Sequence, residues 1–266
     1  MIAGATWHEV DWRIVGPALA AGLLVLSTHV PLGLQVLSRG IVFIDLAIAQ
    51  IAGLGVIAAD ALGWEPQGWG VQGAAVLAAL AGAALLTWTE RRWPDIQEAL
   101  IGTLFVLASS AGLLLLAGNP HGGEHLKDLL VGQILWVTPG QLGAMAALSA
   151  GVLALWFLAR ERLGRAGFYV LFALAVTASV QLVGVYLVFS SLIIPALAAR
   201  QAQARWQLPV AYATGGLAYA LGLALSAMLD LPSGPVVVLA MAAIGIAASA
   251  SLIPLIRAPG KPPHSR

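Results

Sequence analysis

The residue in this sequence best placed to do chemistry is an acid in an oily setting. Asp45 falls inside an apolar run over 41–60, whereas every other charged residue falls in a loop or at the end of a run. A carboxylate at membrane depth costs roughly 2.5 to 3.5 kcal/mol on insertion scales, so it normally faces a cavity, a partner or an ion in transit. His29 lies late in the preceding run, just before Pro31, and a short turn around Arg39 separates it from Asp45. Both positions are expected in the same half of the bilayer. An imidazole and a carboxylate that meet there can bind a divalent cation or simply hydrogen-bond each other. Gln50 is a third candidate ligand. Five residues at 100° each put it about 140° from Asp45, so only a π-bulge or local unwinding unites the two.

Between apolar runs, His121, Glu124 and His125 gather three possible ligands, with Gly122 and Gly123 between them. Two glycines let the backbone fold around a guest. Imidazole plus carboxylate suits zinc, manganese or ferrous iron by ligand type. The chain has no cysteine, which removes thiolate ligands and disulfides. Ser, His and Asp are too scattered for a catalytic triad, and the HExxH metalloprotease pattern is absent. No enzyme activity and no intrinsically bound cofactor are expected.

These residues need a scaffold, and the composition selects it. Of 266 residues, 60% are hydrophobic and only 9% charged, with a mean hydropathy of +0.90. Soluble domains carry about 25% charged residues, so a water-soluble fold is excluded. The reading is an all-α, polytopic transmembrane helix bundle, one domain over 1–266. A net charge of +1 gives no basic surface for nucleic acid. No phosphate-cradling Gly-x-x-x-x-Gly-Lys run occurs, so any ATP chemistry must come from another chain. Glu9 and Asp11 stand where a signal peptide would be basic, so the first run is read as a retained span.

Apolar runs fall at 14–37, 41–60, 71–89, 99–117, 141–159, 168–199, 208–229 and 235–256. The sixth is too long for one crossing: 32 helical residues reach about 48 Å against a hydrocarbon core near 30 Å. Positive charge decides how it is divided, because cytoplasmic loops collect Lys and Arg. If it crosses twice, Arg39, Arg91, Arg92, Arg160, Arg162, Arg165, Arg200, Arg205, Arg257, Lys261 and Arg266 share one side. Only Arg13 and Lys127 face the other. A single crossing erases that asymmetry. Eight or nine spans are therefore expected, nine being favoured, with the N-terminus outside, the C-terminus cytoplasmic and a broken helix in 168–199. Gly184 and Pro195 are the expected break points. Gln181, Ser190 and Ser191 within that run are read as interhelical hydrogen-bonding groups, and Leu113 to Leu116 as lipid-facing or packing surface.

Five blocks carry a family resemblance: Pro31-Leu32-Gly33, the run Arg39 to Gln50, Gly132 to Pro139 (GQILWVTP), Val183 to Arg200 (VGVYLVFSSLIIPALAAR) and Leu225 to Leu239 (LSAMLDLPSGPVVVL). In this order the chain resembles the membrane permeases of manganese/zinc-type ABC importers. The resemblance implies a multi-pass inner-membrane protein that forms a homodimer within membrane lipid. It also implies two cytoplasmic ATPase subunits, an extracytoplasmic metal-binding protein, and a divalent metal ion as transported substrate. In that family the second span carries an Asp-x-x-x-His pair; Asp45 matches the Asp, Ala49 stands at the His spacing, and Gln50 follows. The family's cytoplasmic docking segment is cut down here to about 160–167. This leaves an ATPase-independent metal carrier, or a non-transporting membrane partner, as the alternative.

Overall fold

The computed structural model describes residues 12–65, 68–116 and 130–256, and among them every regular element is helical. Helix α1 spans Trp12–Arg39, α2 Ile44–Ala61, α3 Trp69–Arg92 and α4 Gln97–Leu116, the last entered through a single 3-10 turn at Pro94–Ile96. A helical stretch Pro139–Val183 breaks at Gly164 (φ 57, ψ −155) into two arms, 139–163 (α5) and 165–183 (α6), each with an apolar segment long enough to cross a membrane. Then come α7, Val185–Ala199, α8, Ala204–Leu229, and α9, Ser233–Ile256. All except α7 are long and apolar enough to cross a membrane. The all-α polytopic bundle read from composition is the observed fold.

Local sequence explains the ends. Pro139 sits at the start of α5, where its missing N–H costs nothing, and Thr138 and Gln141 cap each other in a reciprocal box. Arg39 closes α1 and Arg91 and Arg92 close α3, where cations oppose the negative end of the helix dipole.

The long run divides differently from the sequence reading at two points. Gly184 is a break, with φ 81 between α6 and α7. Pro195 is not, because it lies inside α7. The helix before Gly184 also begins just after Gly164 instead of at Phe168, so residues 160–167 are the touching ends of two arms, with no separate helix between them. The arms fold back on each other. In a continuous helix Trp156 and Phe168 would be about 18 Å apart, yet their ring centroids lie 6.1 Å apart. With 15 residues, α7 reaches only about 22 Å.

Packing sorts the helices into two groups. Helices α2, α3 and α4 pack together, α1, α7, α8 and α9 form the second group, and the α5–α6 pair touches both. One continuous apolar core runs through the whole. Small residues allow the closest approaches: a Cβ on Gly33 would collide with the Leu192 carbonyl, so α1 and α7 meet at backbone distance.

Candidate functional site

Asp45 stands in the first turn of α2, not deep within it, because the chain from Gly40 to Phe43 turns before the helix begins. It is nevertheless only 1% exposed. Its Oδ1 accepts the Leu46 N–H at 2.8 Å, and the positive end of the α2 dipole favours the anion there. A second acid serves the same helix end. Glu98, at the start of α4, accepts the Phe43 N–H at 3.2 Å and so ties α4 to the entry of α2. Sequence reading placed Glu98 at a span end and gave it no role; its position next to Gln97 in the first turn of α4 was the available signal.

His29 is fully buried on α1. Its Nδ1 lies 3.0 Å from the Val25 carbonyl and 3.1 Å from the Thr28 hydroxyl. A carbonyl can only accept, so the tautomer with Nδ1–H fits best and leaves Nε2 as a bare lone pair. That Nε2 is buried without a hydrogen-bond partner. A neutral imidazole in this state is what a transition metal binds.

No hydrogen bond joins His29 to Asp45. Their helices belong to different packing groups. His29 also lies ten residues, about 15 Å, from the end of α1 at Arg39, whereas Asp45 sits at the start of the next helix. One is near mid-span and the other near its end.

Gln50 and Asp45 are likewise not united. Helix α2 runs regularly through both, with neither bulge nor unwinding, so the angular separation stands. Gln50 instead faces a crevice of about 20 Å³, room for roughly one water. Ala49 and Gly53 of α2, Ser109 and Gly112 of α4, and Val185 at the start of α7 share its wall. The Ser109 hydroxyl is buried there without a partner.

Among the described residues, no group of three or more His, Asp or Glu side chains converges to hold a metal. His121, Glu124 and His125 lie outside the described residues. Of the polar groups in the long run, Ser191 does what was expected: its hydroxyl bonds the Tyr219 hydroxyl of α8 at 2.9 Å.

The basic ends of several helices converge. The Arg39 guanidinium lies 4.3 Å over the Phe168 ring, and Gln97 donates to both the Leu86 carbonyl and the Tyr169 hydroxyl. These contacts place the C-terminal ends of α1 and α3 with the α5–α6 turn at one end of the bundle, so Arg39, Arg91, Arg92, Arg162 and Arg165 share that end.

A family model described as the ABC 3 transport family matches residues 11–165 and 162–251. The chain belongs to the ABC 3 transport family. The two matched stretches meet at the α5–α6 turn, which carries no separate helix in this ABC 3 member. Its sequence is 27% identical over 253 residues to an uncharacterized membrane protein of Synechocystis, slr2045, covering 87% of this chain and 88% of that one. Two solved structures share its fold at 20% identity. PsaBC from Streptococcus pneumoniae, solved in complex with Fab, superposes with a TM-score of 0.73 over 93% of this chain and 96% of that one. A structure described as an inward-facing conformation of a putative metal-chelate type ABC transporter gives 0.64 over 90% and 85%. The resemblance carried by the five sequence blocks and the family match agree, and this ABC 3 protein is a multi-pass membrane protein.

Proposed function

We propose that the chain is the permease subunit of an ATP-driven importer of a divalent transition metal, with zinc, manganese or ferrous iron as cargo. The observation that carries this reading is membership of the ABC 3 transport family over nearly the whole chain. A structure described as a putative metal-chelate type ABC transporter shares the fold, which supports a metal-containing substrate. Two buried ligand types in the bundle, the Asp45 carboxylate and the unpartnered His29 Nε2, suit such a cation. Gln50 offers a neutral carbonyl along a crevice between α2 and α4.

In this reading the arginine-rich end faces the cytoplasm and the short α7 is a ninth crossing, which puts the N-terminus outside and the C-terminus inside the inner membrane. The partners are cytoplasmic ATPase subunits, an extracytoplasmic metal-binding protein and a second copy of the chain. No cofactor resides in the protein; the metal is cargo. His121, Glu124 and His125 are the residues this reading assigns to metal capture.

The test is co-purification with an ATPase subunit and reconstitution in liposomes with the binding protein. ATP turnover should rise on adding zinc, manganese or ferrous ion, and metal should accumulate with it. Turnover indifferent to all three would reject the reading. A second reading, an ATPase-independent carrier or non-transporting membrane partner, draws on the direct α5–α6 turn at Gly164, which presents little surface to an ATPase. Metal flux through the permease alone, driven by a proton or sodium gradient, would favour the carrier; no flux with or without the ATPase would favour the non-transporting partner.

A further inference from the structure

The fold-back of α5 on α6 leaves a cavity of about 210 Å³ whose walls include none of His29, Asp45 and Gln50. Its walls include Gln35 and Arg39 of α1, Trp156 of α5, and Arg165 and Phe168 of α6. Two of the lining groups are guanidinium ions and none is an acid.

Arg39 is held in an unfinished arrangement. One face of its guanidinium is covered by the Phe168 ring at 4.3 Å, and its Nη1 is buried with no hydrogen-bond acceptor. A buried charged donor left unpaired is costly, and the planar fork of an arginine suits the oxygens of a phosphate. Arg165 is exposed at the same cavity and supplies a second cation. Phe157, next to Trp156, is 60% exposed and lies about 100° round α5 from the cavity wall, where it opens an apolar strip on that flank of the helix. A free phosphate has no use for such a strip; an acyl chain does.

We propose that this cavity binds the phosphate group of an anionic phospholipid, with Arg39 and Arg165 on the headgroup and the exposed strip of α5 against an acyl chain. Basic pockets between helices at a positively charged membrane face are suited to such headgroups. A lipid seated there bridges α1 to the α5–α6 turn.

The experiment uses the full chain in phosphatidylcholine nanodiscs with and without phosphatidylglycerol. It reads thermal midpoint and, by native mass spectrometry, retained lipid. Phosphatidylglycerol should raise the midpoint and stay bound. Arg39→Gln and Arg165→Gln should each lower its retention about fivefold, the equivalent of about 1 kcal/mol per arginine. Should Arg39→Gln fail to fold, Arg39→Lys keeps the charge without the fork and should show an intermediate loss, while the exposed Arg165 is independent of folding. A full shift from inorganic phosphate in pure phosphatidylcholine would overturn the lipid in favour of a free anion. Equal midpoints in both nanodiscs, or retention unchanged in both arginine variants, would overturn the site.

Discussion

The hydroxyl of Tyr212 on α8 donates to the carbonyl of Ser27 on α1 at 2.8 Å. Ser27 is four residues before Pro31, and proline has no N–H to return that bond. Hydrocarbon offers no water to take the place of the missing donor, so a neighbouring helix must supply one. Helix α1 continues through Pro31 because α8 satisfies the carbonyl that Pro31 abandons. The same stretch of α1 carries His29, so the bond also fixes the level of that imidazole against α8.

Removing the hydroxyl should therefore hurt only while the proline is present. Tyr212→Phe should lower stability by about 1 to 3 kcal/mol, the cost of an unsatisfied buried polar group. In a Pro31→Ala background the restored N–H returns to Ser27, and the same change should cost much less. Thermal melting of the four proteins in one detergent measures the coupling. Equal losses in both backgrounds would show that the proline and the tyrosine act separately.

How far the sequence revealed this protein follows from the range of each interaction. Composition and run length depend on local chemistry, and they led to the helical bundle, the length of the spans and the break at Gly184. Pro195 misled, since a proline within a buried helix is tolerated when neighbours pack around it, as α7 does against α1, α8 and α9. The sequence identified Asp45 and His29 as polar groups in oil but not their separation. Adjacent spans joined by a short turn look like packing partners, yet α1 and α2 fall in different groups. The Glu98 tie to Phe43, the Arg39 stack on Phe168 and the Tyr212 bond all join residues more than fifty positions apart. No periodicity encodes them.

Two glycines separate backbone strain from crowding. Gly164 (φ 57) and Gly184 (φ 81) both hold conformations that L residues rarely adopt. An added Cβ at Gly164 would meet nothing within 4 Å, whereas at Gly184 it would collide with the backbone of Val131 and Gly132. Gly164→Ala should cost about 1 to 3 kcal/mol from conformation alone. Gly184→Ala should cost more, because the α6–α7 break and residue 132 must also move apart. Melting midpoints of the two variants rank the effects; a milder loss at Gly184 would contradict the close approach.

Asp45→Asn keeps the shape of the side chain and its Oδ1 acceptor for the Leu46 N–H, but discards the charge. Folding should be nearly unaffected, since the first turn of α2 retains Glu98 at Phe43. Metal uptake in the reconstituted transporter should fall roughly tenfold or more, the scale on which metal sites respond to altered ligands. Uptake at the unaltered rate would remove Asp45 from the ion path and leave it a structural acid.

The regular course of α2 makes the two positions after Asp45 unequal. Ala49, one turn on, shares the side of the helix that carries Asp45 and is 2% exposed, whereas Gln50 lies about 140° round from Asp45, although Ala49 and Gln50 both line the crevice. A histidine at 49 could therefore join Asp45 on one cation, and a histidine at 50 could not. Ala49→His should tighten zinc binding by about tenfold or more, or about 1.4 kcal/mol. It should also lose about 1 to 3 kcal/mol of stability through overpacking. Gln50→His should leave zinc affinity near that of the parent, since its imidazole would face α4. Competition titration of the purified permease with a zinc indicator compares them. Tighter binding in Gln50→His alone would mean that α2 unwinds between 45 and 50 when metal arrives, and would place Gln50 beside Asp45 in the loaded state.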